Sequence, residues 1–323
     1  LEWLPSGRYA TRSIPLVRSR EPLWDQPDLA RDVEEGRYYL PGAPTGRRET
    51  IVTSPIHAEP QYLLQMPGPS WPTFLAALFT AACFLLLTVK LVIPALVCGV
   101  IAVAMVCWWL WDTDPGPREP VEIGGGIKLP VNTPGTINHA WWGTIALLLV
   151  AGTLFACLLF SYVFLWTVSP HVWPAPSDLP DLVRPALTGI AYIASGAIMT
   201  MAGRSLDRAP RRPSFLFSLG LLLAVGFLAA GFLNHLHLHY QSGLRPTHSG
   251  YSAAVYMILS LQGFYCAVLG VMALYTLARI IAGKLDNARR STFDNTKLMW
   301  QYGVAQGLIG LLVVNLFPRL FGG

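Results

Sequence analysis

The sequence has 323 residues, of which 53% are hydrophobic and only 13% are charged. Soluble domains carry about 25% charged residues, so this composition excludes an ordinary soluble protein and favours an integral membrane protein. The formal net charge is +5, but Lys and Arg residues lie beside long apolar stretches, as the positive-inside rule expects, and we therefore predict no nucleic-acid partner.

The chain begins with a polar segment, residues 1–70, that contains eight arginines, ten prolines and no long apolar run. Prolines at this density prevent long helices, so the sequence predicts an extended arm. Trp3, Trp24, Tyr38 and Tyr39 are more aromatic residues than a disordered tail usually carries. We expect these side chains to anchor the arm on a partner surface.

Seven apolar stretches follow, each about as long as the 20 residues that a helix needs to cross the hydrocarbon core of a bilayer. They are nearly free of charged residues, since a charge at the bilayer centre costs several kcal/mol. The fold class is therefore predicted to be all-α and integral to the membrane, with seven transmembrane helices. The predicted spans are 72–89, 91–111, 141–167, 186–203, 214–237, 251–278 and 297–318, with a tight turn at Lys90 between the first two.

The loops between the spans fall into two alternating sets, one with eleven Lys and Arg residues and the other with three. The basic set is 112–140, 204–213 and 279–297, and the other set is Lys90, 168–185 and 238–250. Because Lys and Arg accumulate on the cytoplasmic side, we predict a cytoplasmic N-terminal arm and an outside C-terminus. The Pro/Gly-rich loop 112–140 is interpreted as a flexible connector.

Five cysteines and seven histidines are the potential metal ligands. The cysteines all lie in apolar stretches without a Cys-x-x-Cys pair, so we expect free thiols. No histidine lies in the middle of a predicted span, which argues against an intramembrane haem.

One histidine cluster, His235, His237 and His239, lies at the end of the fifth span. If the helix stops near Asn234 and the chain continues extended, alternate residues face one way and three imidazoles meet at a Zn or Cu site. On a continuing helix, His235 and His239 share a face instead. The plainer alternative is interfacial histidines that bond to water and lipid head groups, and the sequence leaves these possibilities open.

The polar residues inside the spans are amides and hydroxyls, among them Gln262, Gln301, Gln306 and Asn315, and the spans contain no acidic residue. Such groups usually form interhelical hydrogen bonds. A transporter with a charged coupling site is therefore not expected. The residues alone leave two classes, an accessory membrane subunit or a transporter of a neutral substrate.

The arm carries a more specific signal. Residues 1–3 read LEW and residues 14–25 read IPLVRSREPLWD. This pattern resembles the cytoplasmic tail after the last helix of subunit I in bacterial haem–copper cytochrome c oxidases. Residues 46–50 and 67–72 resemble the stretch that joins subunit I to subunit III in fused polypeptides.

The spans resemble subunit III of the same family, whose seven helices are grouped as two plus five. The resemblance implies a first pair at 71–111, the connector at 112–140 and a five-helix bundle at 141–323. Family-matching helix positions are Trp142, Gly143, Tyr251, Gly263 and Trp300.

Several positions depart from the family pattern. The third helix of subunit III usually carries a membrane-embedded Glu, and Ala151 occupies that position here. Two sixth-helix histidines are replaced by Gln262 and Tyr265. Roles that depend on those polar groups are therefore not carried over, whereas a lipid-binding cleft remains an expectation.

The resemblance implies a redox-inert accessory subunit in the bacterial cytoplasmic membrane, bracing subunit I and binding phospholipid. The complex would oxidise cytochrome c, reduce O2 to water and pump protons, with haem and copper held by the partner subunits I and II and no cofactor in this chain. Trp3, Arg18, Arg20 and Trp24 are the implied contacts with subunit I. The first residue, Leu1, is not Met, which fits an internal point of a fused I+III polypeptide or a processed end.

The alternative hypothesis belongs to a different class. It is a stand-alone multi-span transporter or a membrane-bound enzyme with a metal site at His235, His237 and His239.

Overall fold

The computed structural model describes residues 13–17, 19–68, 70–111, 118–123, 127–132, 137–175, 179–208 and 215–321. The chain divides into two compact units, Leu1–Ile137 and Asn138–Gly323.

The first unit begins with short elements in the arm. They are helices α1 (Pro22–Asp25) and α2 (Leu29–Glu34), a 3-10 turn (Ala43–Thr45), and strands β1 (Glu49–Thr53) and β2 (Pro60–Gln65), which pair antiparallel. Leu29, Val33, Leu40 and Leu63 are buried within this segment. The structure thus differs from the extended arm that the prolines predict. Proline excludes long helices but is tolerated at the first helical position, where Pro22 lies.

The membrane helices of this unit are α3 (Trp71–Thr88) and α4 (Val92–Leu110). Lys90 has a left-handed backbone with φ of 63°, which confirms the predicted tight turn. The residues buried in the two helices are small: Ala76, Ala95 and Ala102.

The described residues of the connector, 118–123, 127–132 and 137–140, include regular structure that its composition does not predict. Its strands β3 (Val121–Glu122) and β4 (Lys128–Leu129) pair antiparallel. Leu63 donates its N–H to the Pro130 carbonyl at 2.9 Å, and Asn132 donates its N–H to the Leu63 carbonyl at 2.8 Å. The connector is therefore bonded to β2 of the arm, a non-local pairing that composition does not reveal.

The described residues of the second unit form five long helices. They are α5 (His139–Val168), α6 (Val183–Arg208), α7 (Phe215–Gln241), α8 (Gly250–Ile281) and α9 (Ser291–Phe321). Asn138 caps α5 by accepting the Trp141 N–H at 3.0 Å, and Ser249 forms a capping box with Ser252 at the start of α8.

Helix α9 packs against α5, α6 and α8, and α7 packs against α6 and α8. Large side chains that are almost completely buried fill the core of this unit, among them Tyr192, Phe217, Phe293 and Trp300. Small residues let the helices approach closely, as membrane helices commonly require. Gly307 illustrates this, since a Cβ there would lie 2.7 Å from the Gln262 Nε2 atom.

Across the described ranges, seven helices, α3 to α9, are long and apolar enough to cross a membrane. This confirms the predicted all-α, multi-pass membrane class. Several helices extend beyond the predicted spans, and α9 begins at Ser291 rather than near 297. The apolar pattern marks only the hydrocarbon-facing part of a helix, whereas backbone hydrogen bonding continues into the polar interface.

Candidate functional site

Hydrogen bonds between helices run through the core of the second unit. Trp300 on α9 donates its indole N–H to Ser195 Oγ on α6 at 2.7 Å. Ser195 in turn donates to the Ala224 carbonyl on α7 at 2.9 Å. Gln301 Nε2 donates to the Gly196 carbonyl at 3.0 Å. The polar residues of α6 and α9 therefore join helices, as the sequence predicts.

Two glutamines continue this polar region between α8 and α9. Gln262 Nε2 donates to the Gly303 carbonyl at 3.3 Å, and Gln306 Nε2 donates to Gln262 Oε1 at 3.4 Å. Gln306 Oε1 is buried and has no hydrogen-bond partner among the described residues. It lines a cavity of about 10 Å³ together with Gln262 and His235. A cavity of this size holds about one water molecule.

The histidine cluster lies on a continuous helix, because α7 extends to Gln241. His235 and His239 share a face, and their Nε2 atoms lie 3.2 Å apart. Each of these side chains is only 3% exposed, so the expectation of interfacial, solvated histidines is wrong for these two. His237 is exposed on another face of α7, and the three imidazoles do not converge.

Asn315 on α9 is the third member of this site. Its Nδ2 atom lies 3.1 Å from His235 Nε2 and 2.9 Å from the Leu311 carbonyl. The sequence analysis identified Asn315 only as a hydrogen-bonding residue and did not connect it with the histidines. Two features of the sequence could have indicated this contact. His235 and His239 have the i, i+4 spacing of residues on one helix face, and Asn315 lies near the end of a span that ends on the same side of the membrane as theirs.

Ion pairs cluster at the opposite end of the second unit. Arg290, in the loop between α8 and α9, binds Asp294 on α9 and Asp207 at the end of α6. Hydrogen bonding to Asp294 and then to Asp207 raises the pKa of Arg290 despite its burial. This network joins the end of α6 to the start of α9, in agreement with the predicted alternation of loops.

Asp286 in the same loop forms a second ion pair. Its carboxylate accepts bonds from the Arg289 guanidinium and from the Arg289 and Ala288 backbone N–H groups. Burial opposes ionisation, but these hydrogen bonds together lower the pKa of Asp286. The loop is thus ordered by charge-assisted bonds.

Three of the helix positions on which the sequence resemblance rests contribute to packing in this bundle. Tyr251 belongs to an aromatic cluster with Tyr162 and Trp173, in which the Trp173 indole donates to the Tyr162 hydroxyl at 3.3 Å. Gly263 faces Phe232, whose Cζ atom would lie 2.6 Å from an added Cβ. Trp300 is the completely buried residue described above.

The other two helix positions on which the sequence resemblance rests lie on α5. Trp142 is 60% exposed, and a Cβ at Gly143 would meet no described atom within 4 Å. Ala151 is buried and belongs to the apolar core. The methyl group of Ala151 packs in this core and cannot bind a proton.

Of the four arm residues that the resemblance implies as contacts with subunit I, two lie within the described residues. Trp24 on α1 is 87% exposed, and Arg20 is also exposed. Trp3 and Arg18 lie outside the described residues. An indole this exposed is unusual in a folded segment, because Trp normally buries most of its large apolar surface.

Comparison of the sequence with models of known protein families and with curated proteins found no match. In the described part of the chain, no group of three His, Cys, Asp or Glu side chains is arranged to hold a metal ion. His235 and His239 are titratable groups that are buried on α7 and in contact with each other. One of the two imidazoles can donate its N–H to the ring nitrogen of the other, and the tautomer decides which of them is the donor.

Proposed function

We propose that the chain is the redox-inert, subunit III-like part of a bacterial haem–copper terminal oxidase. In this proposal its partners carry the haem and copper, and the complex oxidises cytochrome c, reduces O2 to water and pumps protons. The chain braces subunit I, contacts subunit II and binds phospholipid. It resides in the bacterial cytoplasmic membrane with its arm in the cytoplasm and its C-terminus outside.

The observation that carries the proposal is the run at residues 14–25, which resembles the subunit I tail and is followed by seven apolar helices in the order expected for subunit III. A fused I+III polypeptide provides this order directly. Exposure of Trp24 and Arg20 supports a docking role for the arm, since both side chains are available to a partner.

The interior of the second unit also supports a bracing role. The sequence-predicted spans of this unit are joined by amide and hydroxyl hydrogen bonds, such as those of Trp300 and Gln262. The ion pairs of Arg290 with Asp207 and Asp294 lie at the helix ends, outside those predicted spans. Ion-coupled transport usually employs intramembrane acidic groups, and the predicted spans contain no acidic residue. The proposed two-plus-five helix grouping and the lipid-binding cleft follow from the family resemblance.

The test is gentle solubilisation of native membranes and purification through an affinity tag at the C-terminus. We expect the chain to be isolated with a haem-bearing subunit I, either as a separate partner or as part of the same polypeptide. The haem spectrum and mass spectrometry of the purified sample measure this. Isolation of the chain alone and without haem would contradict the proposal and favour the transporter hypothesis.

A variant of the arm makes the test residue-specific. Replacing both Arg20 and Trp24 with Ala should weaken association with subunit I and release haem-free chain, provided that subunit I is a separate polypeptide or has been cleaved from the arm with a protease. The matched control is Trp71→Ala, which removes another exposed indole outside the arm motif. Equal haem retention in the arm variant and the control would contradict a docking role for the arm.

A further inference from the structure

We propose that α6 binds one anionic phospholipid, with the head group on Arg204 and Arg208 and the acyl chains along the exposed side of the same helix. The inference deepens the phospholipid binding in the proposed function by naming the class of lipid and the helix that binds it. It rests on the membrane location in that function, and not on the oxidase assignment or on the cleft that the family resemblance implies.

The first argument is the pattern of exposure along α6. Six exposed residues follow one another at spacings of three or four, and residues with this spacing share one side of a helix. They are Ile190, Ile193, Ala197, Met201, Arg204 and Arg208. The first four are apolar and the last two are basic, so this side of the helix matches a phospholipid, which has apolar chains and a charged phosphate at one end.

The length of the apolar part also fits. Helix α6 spans Val183–Arg208, and from Ile190 to Met201 it rises about 16 Å at 1.5 Å per residue. One leaflet of the hydrocarbon core is about 15 Å thick, half of the whole. Arg204 and Arg208 follow within two turns of Met201, so both guanidinium groups lie near the level of the phosphates when acyl chains cover the apolar part.

The second argument is the charge balance at this end of the second unit. Arg289 and Arg290 are paired with carboxylates. Arg204 and Arg208 are exposed and form no ion pair within the part of the chain that the structure describes. A guanidinium group without a carboxylate partner suits a phosphate, because its N–H groups can bind two phosphate oxygens at once.

A third cation lies beside these two arginines. A Cβ added to Gly203 would lie 3.1 Å from the Lys297 Nζ atom, so this ammonium group of α9 lies against α6 at the residue that precedes Arg204. Basic sites between membrane helices bind anionic head groups. Phosphatidylcholine is a poorer match, because its own choline cation offsets the charge of its phosphate.

The side chains on the exposed side favour lipid over another protein helix. Contacts between membrane helices are enriched in small residues, which let two backbones approach closely. The glycines of α6, Gly189, Gly196 and Gly203, all lie on its buried side. The exposed side carries the larger Ile190, Ile193 and Met201 instead, and fluid acyl chains can pack around such an uneven surface.

The test is lipid binding by the full chain, purified in detergent with any subunits that accompany it. Native mass spectrometry counts bound phosphatidylglycerol and phosphatidylcholine, supplied with identical acyl chains at equal concentrations. The wild type should bind one phosphatidylglycerol in preference to phosphatidylcholine. Each cation strengthens binding to anionic lipid about fivefold, so replacing both Arg204 and Arg208 with Gln should lower this preference by roughly 10- to 30-fold.

The matched control is Arg184→Gln at the opposite end of the same helix. Arg184 is also an exposed arginine, and it donates to Gln241 Oε1 at 2.6 Å. This variant should keep the preference for phosphatidylglycerol. Equal preference in the wild type and the double variant, or an equal loss in the control, would overturn the proposal.

Photochemical labelling of the wild type supplies a second measurement that does not depend on the folding of a variant. Phosphatidylglycerol with a photoreactive group in its acyl chain should label Ile193, Ala197 or Met201 more strongly than the matching phosphatidylcholine does. Equal labelling by the two lipids, or absence of label from α6 because a partner subunit covers it, would contradict the proposal. Haem content, read from the same samples, tests the proposed function separately.

Discussion

The membrane helices of the two units are similarly apolar, but most helices of the second unit bury a larger share of their residues. In the most apolar window of each helix, that share is 6% for α3 and 11% for α4 in the first unit. In the second unit it is 11% for α5, 28% for α7, 33% for α8 and 44% for both α6 and α9. Apolar composition is enough to place a helix in a bilayer. Close packing additionally requires small residues and polar groups at particular positions.

The number of neighbouring helices contributes to this difference, because α3 packs against α4, whereas α9 packs against α5, α6 and α8. The hairpin α3–α4 buries alanines, and its large side chains, such as Phe84 and Ile93, are exposed. The second unit buries Trp300, Tyr192 and the Gln262–Gln306 pair. Substitutions of packed residues should therefore lower the free energy of unfolding more in the second unit than in the first.

The largest difference is expected for tryptophan. Replacing Trp300 with Ala removes a completely buried indole and its bond to Ser195, so the free energy of unfolding should fall by about 3–5 kcal/mol. Trp71→Ala removes an indole that is 74% exposed and should change it by less than about 0.5 kcal/mol. Thermal unfolding in detergent measures both. Similar losses of stability would show that burial does not distinguish the two units.

Glycine provides the next comparison, with the same substitution in each unit. Gly307→Ala places a methyl group 2.7 Å from Gln262 Nε2 and 2.8 Å from the Tyr192 ring, and overpacking of this kind costs about 1–3 kcal/mol. Gly99→Ala in α4 meets only Cys83 Sγ at 3.4 Å, so the better helix propensity of Ala should leave stability unchanged or slightly higher. Unfolding midpoints of the two variants test this, and a stabilised Gly307→Ala would contradict the tight packing of α8 against α9.

Loss of an ion pair should likewise destabilise the protein more in the second unit than in the first. The Arg290 side chain is 15% exposed and pairs with Asp207 and Asp294, so Arg290→Met should destabilise the protein by about 2 kcal/mol. The Arg31 side chain is 63% exposed in its pair with Asp28, and Arg31→Met should cost less than about 1 kcal/mol. Chemical denaturation measures both values. A larger loss for Arg31→Met would reverse the expected order.

The smallest effect is expected from the pH dependence of the loop between α8 and α9. Because the pKa of Asp286 is lowered in the folded protein, its ionised form contributes stability above the ordinary Asp value of about 4. That contribution is lost as pH falls through the folded pKa. Thermal midpoints measured from pH 6 to pH 3 should decline slightly more in the wild type than in Asp286→Asn. Parallel curves would show that Asp286 does not contribute.

The sequence predicted the seven spans because 20 apolar residues identify a membrane helix without reference to any other part of the chain. It did not predict the pairing of β2 with the connector, since Leu63 and Pro130 are far apart in sequence and short strands have little periodic signal. It left the histidine cluster open, because the geometry depends on whether α7 ends at Asn234 or continues. Asn315 joins His235 only through the packing of α9 against the other helices.

The central claim is membership of a terminal oxidase, and oxygen consumption by the purified assembly tests it most directly. The chain is isolated through its tag and supplied with reduced cytochrome c in an oxygen-electrode chamber. The account predicts cyanide-sensitive oxygen uptake that oxidises four cytochrome c molecules for each O2 reduced to water. An assembly that contains the intact chain yet neither oxidises cytochrome c nor contains haem would contradict it.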